Sequence, residues 1–129
     1  MSAASSLEIG KKLVEFCNKG QWQEALHALY SPDVVTVEAC APKPEMSRKK
    51  EGLSAVISHG EWFRDNHDIH STEVRGPWPH EDRFIVCFKL GVTAKGGPMA
   101  GKRFTIEEAA LYTVQNGKVV KAEFFYPGM

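Results

Sequence analysis

Between positions 84 and 92 every even-numbered residue is apolar: Phe84, Val86, Phe88, Leu90 and Val92, with Arg83, Lys89 and Thr93 among those alternating with them. A period of two places those five side chains on one face of an extended strand. Such a strand needs partners along its edges and an apolar cover over that face. The following sequence supplies partners. Residues 103–114 read as a second strand. Gln115-Asn116-Gly117-Lys118 reads as a hairpin turn with the favoured Asn-Gly pair, and 119–126 returns, ended by Pro127-Gly128. Residues 94–101 make a turn, a weakly alternating strand over 70–76 completes the meander, and the β-branched run at 34–38 adds a short strand.

The cover comes from three helical patterns. Leu7, Leu13, Val14, Phe16 and Cys17 form one apolar face, left at Asn18-Lys19-Gly20. Trp22, Ala25, Leu26 and Leu29 form a second, closed by Ser31-Pro32-Asp33. Leu53, Val56, Ile57, Gly60 and Phe63 mark a third over about 50–66, with His59 and Trp62 on its flank. Residues 40–49, with Pro42 and Pro44, are a loop. Helices first and a meander afterwards is an α+β layout. The expectation is a cone-shaped, curved antiparallel sheet with three N-terminal helices on its concave face. At 129 residues the chain is a single domain whose core needs no metal or disulfide.

Charge narrows the function classes. Sixteen Lys and Arg balance 16 Asp and Glu, so no basic excess points to nucleic acid. With 43% hydrophobic residues the chain is not an acidic disordered segment. Neither a signal-peptide pattern nor a membrane-spanning run is visible, which points to the cytoplasm without a membrane partner. Cys17, Cys40 and Cys87 are odd in number and widely spaced, unlike a disulfide framework or zinc cluster.

A cone has a mouth, and its interior is the natural small-molecule site. The even positions of the last two strands should face inward: Phe104, Ile106, Glu108, Ala110, Tyr112 and Val114, then Val120, Ala122, Phe124 and Tyr126. Glu108 is the misfit. A carboxyl group on an apolar face is desolvated, and its pKa should rise into the range of a general acid or base. Glu107 is adjacent, and a one-residue bulge would exchange the two. Tyr112 and Tyr126 can donate phenolic hydrogen bonds, and Tyr30, His59, Trp62 and Phe124 complete the ligand-facing candidates. His67 and His70, three apart on a strand, point to opposite faces and so do not form a metal pair. His27 and His80 read as solvated. Phosphate-binding glycine loops and a Gly-x-Ser-x-Gly elbow are missing, and Ser54 and Ser58 lack an orienting acid.

Asn18-Lys19-Gly20-Gln21-Trp22, the strand at 33–38, the helix carrying Gly52, Ile57, Trp62 and Phe63, and the hairpin Leu111-Tyr112-Thr113-Val114-Gln115-Asn116-Gly117-Lys118-Val119-Val120 occur in this order. Together, over about 5–126, they resemble the nuclear transport factor 2-like superfamily, nearest its SnoaL-like members. The resemblance implies a cone-shaped α+β barrel, a homodimer and a pocket inside the cone. It does not carry over an activity. The oxyanion tyrosine of the family's ketosteroid isomerases falls on Leu13, their general base on Ala39 beside Glu38, and their second acid on Ala110. The acid that cyclases and epoxide hydrolases hold in the last strand falls near Phe124.

Three readings follow. One is a cofactor-free acid/base enzyme of isomerase, cyclase or dehydratase type on a small hydrophobic molecule, with Glu108 catalytic. Another is a binder of such a molecule without turnover. The third is a dimerisation module using the sheet's outer face, where Ile85, Cys87, Ala109, Leu111, Val119 and Phe125 would form an apolar patch.

Overall fold

The strand β4 (Arg83–Ala94) is buried in the same alternation as its sequence, with Phe84, Val86, Phe88, Leu90 and Val92 all in the interior. The other elements, in chain order, are α1 (Ala3–Asn18), α2 (Trp22–Leu29), β1 (Tyr30–Val37), β2 (Lys49–Glu51), α3 (Leu53–Asn66), β3 (His67–His80), β5 (Arg103–Gln115) and β6 (Lys118–Phe125). The computed structural model describes residues 3–41 and 47–127. Part of the expected loop, 42–46, and Gly128 therefore lie outside the described residues.

The sheet runs β2-β1-β6-β5-β4-β3. The fold is α+β, a curved sheet left unclosed, with three helices. The expected all-antiparallel sheet is corrected to a mixed one: β3 to β6 form the antiparallel meander, but β1 lies parallel to β6. A parallel pair needs a long crossover, which everything between β1 and β6 provides. Helix α1 packs on β3 and β4, and α3 packs on β1, β2 and β3. Leu13, Cys17, Leu29, Val34, Val56, Phe84, Val86 and Tyr112 belong to the core between these layers. Ser6, fully buried, ties α1 to the β3–β4 turn by donating to the Glu81 carbonyl at 2.6 Å.

Four boundaries differ from the sequence expectation, each for a local reason. The third helix starts at Leu53 rather than near Lys50, because Gly52 has φ of 90°, outside helical space. The residues before it form β2, a three-residue charged edge strand that pairs Lys49, Lys50 and Glu51 with Val37, Thr36 and Val35. Strand β3 extends to His80, replacing the expected turn there; it is an edge strand, where Pro77 and Pro79 need no ladder partner on the outer side. Strand β1 begins directly at Tyr30, so Ser31-Pro32-Asp33 is strand rather than a helix-closing turn.

The hairpin turn is as expected, with Asn116 and Gly117 both in the left-handed region (φ 51° and 75°). Just below it the register slips: Thr113 faces Lys121 but Val114 faces Val119. Val119, expected outside, is therefore fully buried, while Val120, expected inside, is only half-buried.

Candidate functional site

Beneath the helices the sheet encloses a cavity of about 210 Å³. Its walls are mainly apolar: Leu13, Leu26, Val56, Phe63, Phe88 and Leu90 are among them. Strand β5 carries Glu108 into this cavity. Its register against β4 is regular there, Phe88 facing Glu108 and Lys89 facing Glu107, so no bulge exchanges the two glutamates. Glu107 points outward and pairs with Lys89 Nζ at 3.7 Å. Burial, reinforced by the charge of Glu38, pushes the Glu108 carboxyl from its ordinary 4.5 up to about 7.

Glu38, just past the end of β1, is the site residue that alternation in the later strands did not reveal. Its backbone N–H donates to the Arg48 carbonyl at 2.8 Å, which holds it beside β2. Val34 and Thr36 are buried at the same parity, and Glu38 continues that face into the cavity. His59 on α3 meets it: Nε2 lies 3.3 Å from Glu38 Oε1, with the two side chains 23% and 19% exposed. The other carboxylate oxygen, Oε2, is buried and has no hydrogen-bond partner among the described residues. Such an atom is costly to desolvate and is an acceptor open to a ligand.

Tyr30 and Tyr112 line the cavity from β1 and β5 and hydrogen-bond to each other. Burial holds both phenols well above their usual range, so they act as neutral donors. Phe124 of β6 packs edge-on against Tyr112 and lines the same wall. Cys17 also lines it, with its thiol pushed up to about 12 by burial, which leaves no thiolate nucleophile. Among the six candidates other than Glu108, Tyr30, His59, Tyr112 and Phe124 line this cavity with it, whereas Trp62 does not, and Tyr126 lines an adjoining recess that Glu108 also borders. Trp62 is 40% exposed and stacks on His59 at 5.8 Å from outside the cavity. Tyr126 lies past the end of β6, where strand alternation no longer applies; its hydroxyl donates to the Cys40 carbonyl at 3.4 Å. His67 bonds the Phe63 carbonyl and stacks on Phe63, while exposed His70 bonds Thr93, so the two histidines serve separate local contacts. Among the described residues no three His, Cys, Asp or Glu side chains are grouped to hold a metal ion, and no helix is long and apolar enough to cross a membrane.

A curved sheet and three helices around a cavity with carboxyl groups inside define a pocket protein of the cystatin-like, nuclear transport factor 2-like fold. The chain belongs to the SnoaL-like domain family, matching it over residues 4–126. It is similar to a protein from Mesorhizobium loti described as a proposed SnoaL-like polyketide cyclase and, in brackets, a carbohydrate phosphatase, at 32% identity and TM-score 0.85, covering 98% of this chain and 100% of that one. A nuclear transport factor 2-like protein of unknown function from Burkholderia pseudomallei shares the fold at 18% identity and TM-score 0.75, over 98% and 92% of the two chains. So does a proposed isomerase from Bacillus subtilis, at 13% identity and TM-score 0.74, over 98% and 90%. No curated protein matches significantly.

Proposed function

We propose that this protein is a cofactor-free acid/base enzyme of the isomerase or cyclase type, acting on a small, mostly apolar carbonyl compound. The observation that carries the reading is the buried, unpartnered Oε2 of Glu38 in one cavity with a Glu108 carboxyl that holds its proton up to about pH 7. One group can accept a proton while the other donates one.

Glu38 removes a proton from the carbon next to a carbonyl, and Glu108 gives its proton to the carbonyl oxygen. The C–H electron pair becomes the new C=C bond, and the former C=O π pair becomes the O–H bond. Where the substrate carries a C=C bond β,γ to the carbonyl, the enol is a dienol. Glu108 then recovers the O–H proton, whose pair reforms C=O. The enol C=C pair becomes the α,β double bond, and the old β,γ pair takes the Glu38 proton at the γ-carbon, so the product is the conjugated isomer. Neither step calls for a cofactor, because both move only protons. His59, donating from Nε2, holds Glu38 by Oε1 and leaves Oε2 for the substrate; it is a positioning residue. In the Tyr30–Tyr112 pair one hydroxyl donates to the other, which leaves one O–H to offer a ligand oxygen, and Phe124 walls the ring. The cyclase part of the name given to the Mesorhizobium loti protein fits this class, and its bracketed carbohydrate phosphatase part does not.

Acetophenone is a direct probe, since exchange of its methyl protons in D2O reports the first step by NMR. Wild-type protein should accelerate exchange, and Glu38→Gln or Glu108→Gln should each slow it by about 10²–10⁴-fold. Exchange no faster than in buffer would sink the enzymatic reading. A non-catalytic ligand-binding role is then favoured by the apolar residues Leu13, Ala110 and Phe124, which stand where related enzymes place acids or a tyrosine. A raised thermal midpoint with bound ligand would support it.

The same reading includes a homodimer through the outer face of β4, β5 and β6. Ile85 and Phe125 are 40% and 54% exposed there, with Cys87, Ala109 and Leu111 between them. Val119 leaves that patch, being buried. A monomer mass by light scattering at micromolar concentration would contradict the dimer.

A further inference from the structure

The cavity contains a cation that the acid/base reading does not use. Arg64, half-buried in the last turn of α3, lines the wall and is the sole Lys or Arg among the described residues that does so. It has no ion-pair or hydrogen-bond partner among the described residues, and neither Glu38 nor Glu108 pairs with it. A partly desolvated guanidinium beside an apolar cavity favours an anion as its partner, and its forked donors suit a carboxylate.

Placement separates this cation from the reacting end. Val56, His59, Gly60, Phe63 and Arg64 share one stripe of α3 facing the cavity. His59, which holds Glu38, precedes Arg64 by five residues, or about 7.5 Å of helix rise. That span is comparable to a ring substituted at opposite positions. Size sets the other limit. An apolar cavity of about 150 Å³ holds benzene, so 210 Å³ suits one substituted ring better than a four-ring skeleton.

We infer that Arg64 is a specificity-determining residue and that the substrate is a small, single-ring keto acid: its carboxylate lies on Arg64, and its enolisable carbonyl lies between Glu38 and Glu108. The acid/base half of this assignment rests on the function proposed above; the anion half does not. A single carboxylate is favoured over a phosphate monoester, whose second charge would face the two glutamates.

Acetophenone and 4-acetylbenzoate separate the two halves, because they carry the same methyl ketone and differ by a carboxylate across the ring. In calorimetric titrations of the full chain, wild type should bind 4-acetylbenzoate about tenfold or more tightly than acetophenone. In Arg64→Gln the ratio should fall to within about threefold, whereas Arg64→Lys should keep much of it. Equal wild-type affinities, or a preference that survives Arg64→Gln, would overturn the assignment. A preference that depends on Arg64, with no exchange of methyl protons in either ketone, would uphold the anion site and refute only the acid/base reading.

Discussion

Glu107 and Glu108 are neighbours on β5 with the same side chain, yet they face opposite sides of the sheet and have different chemistry. Outside, Glu107 is exposed and pairs with Lys89, an arrangement worth little because water already solvates both groups. Inside, Glu108 lines an apolar cavity, feels the charge of Glu38 and keeps its proton to about pH 7. The pleat supplies the whole difference. A carboxyl that keeps its proton near neutral pH arises in this fold from the face it occupies rather than from an unusual residue.

The contrast between the two faces can be attacked most strongly through packing. Phe84 is 1% exposed and stacks on Tyr112 at 4.9 Å, so Phe84→Ala should lower unfolding free energy by about 3–5 kcal/mol. Its neighbour Ile85 lies on the outer face, and Ile85→Ala should cost the monomer under about 1 kcal/mol. Denaturant titration of both variants measures the gap; equal losses would mean that the outer face is as closely packed as the core.

A smaller effect comes from pH. The folded-state pKa of Glu108 is raised, from 4.5 to about 7. The native state therefore binds more protons than the unfolded one between those values. Its stabilising contribution is complete below pH 4.5 and is lost as pH rises through 7. The change should be on the order of 3 kcal/mol. Thermal melts across this window should lose that slope in Glu108→Gln and keep it in Glu107→Gln. The smallest effect belongs to the outer pair: Lys89→Ala should move stability by under about 0.5 kcal/mol and leave the pH slope intact.

The same contrast explains what could be read in advance. Alternation found the inward face of β4 and the position of Glu108, because both lie in long, regular strands with strong periodicity. It missed Glu38 as a working residue, although Val34, Thr36 and Glu38 share parity, because the strand that braces it, β2, is three charged residues without a hydrophobic pattern. It reversed Val119 and Val120 because a register slip leaves no mark in composition. It carried Tyr126 past the end of β6, where the residue borders an adjoining recess beside Glu108 rather than the main cavity, and it placed Trp62 in the cavity by not resolving which flank of α3 turns inward. Arg64 carried a readable signal, a charge on the stripe shared with Val56 and Phe63, but a basic residue in a last helical turn also suits the helix dipole.

The parallel pairing of β1 with β6 bears on the order in which the molecule assembles. Thr36 meets Ala122 only after most of the chain has been made, whereas β3 to β6 join through neighbours close in sequence. Closing the longer loop carries the larger entropic penalty, so the meander should form first and β1 should dock late, bringing Glu38 with it. Assembly of the Glu38 side of the cavity should thus coincide with the last step of folding. Native-state hydrogen exchange is expected to show the amides of Val35 and Val37 opening at lower free energy than those of Val86 and Phe88. Simultaneous opening of all four would instead place β1 in the earliest cooperative unit.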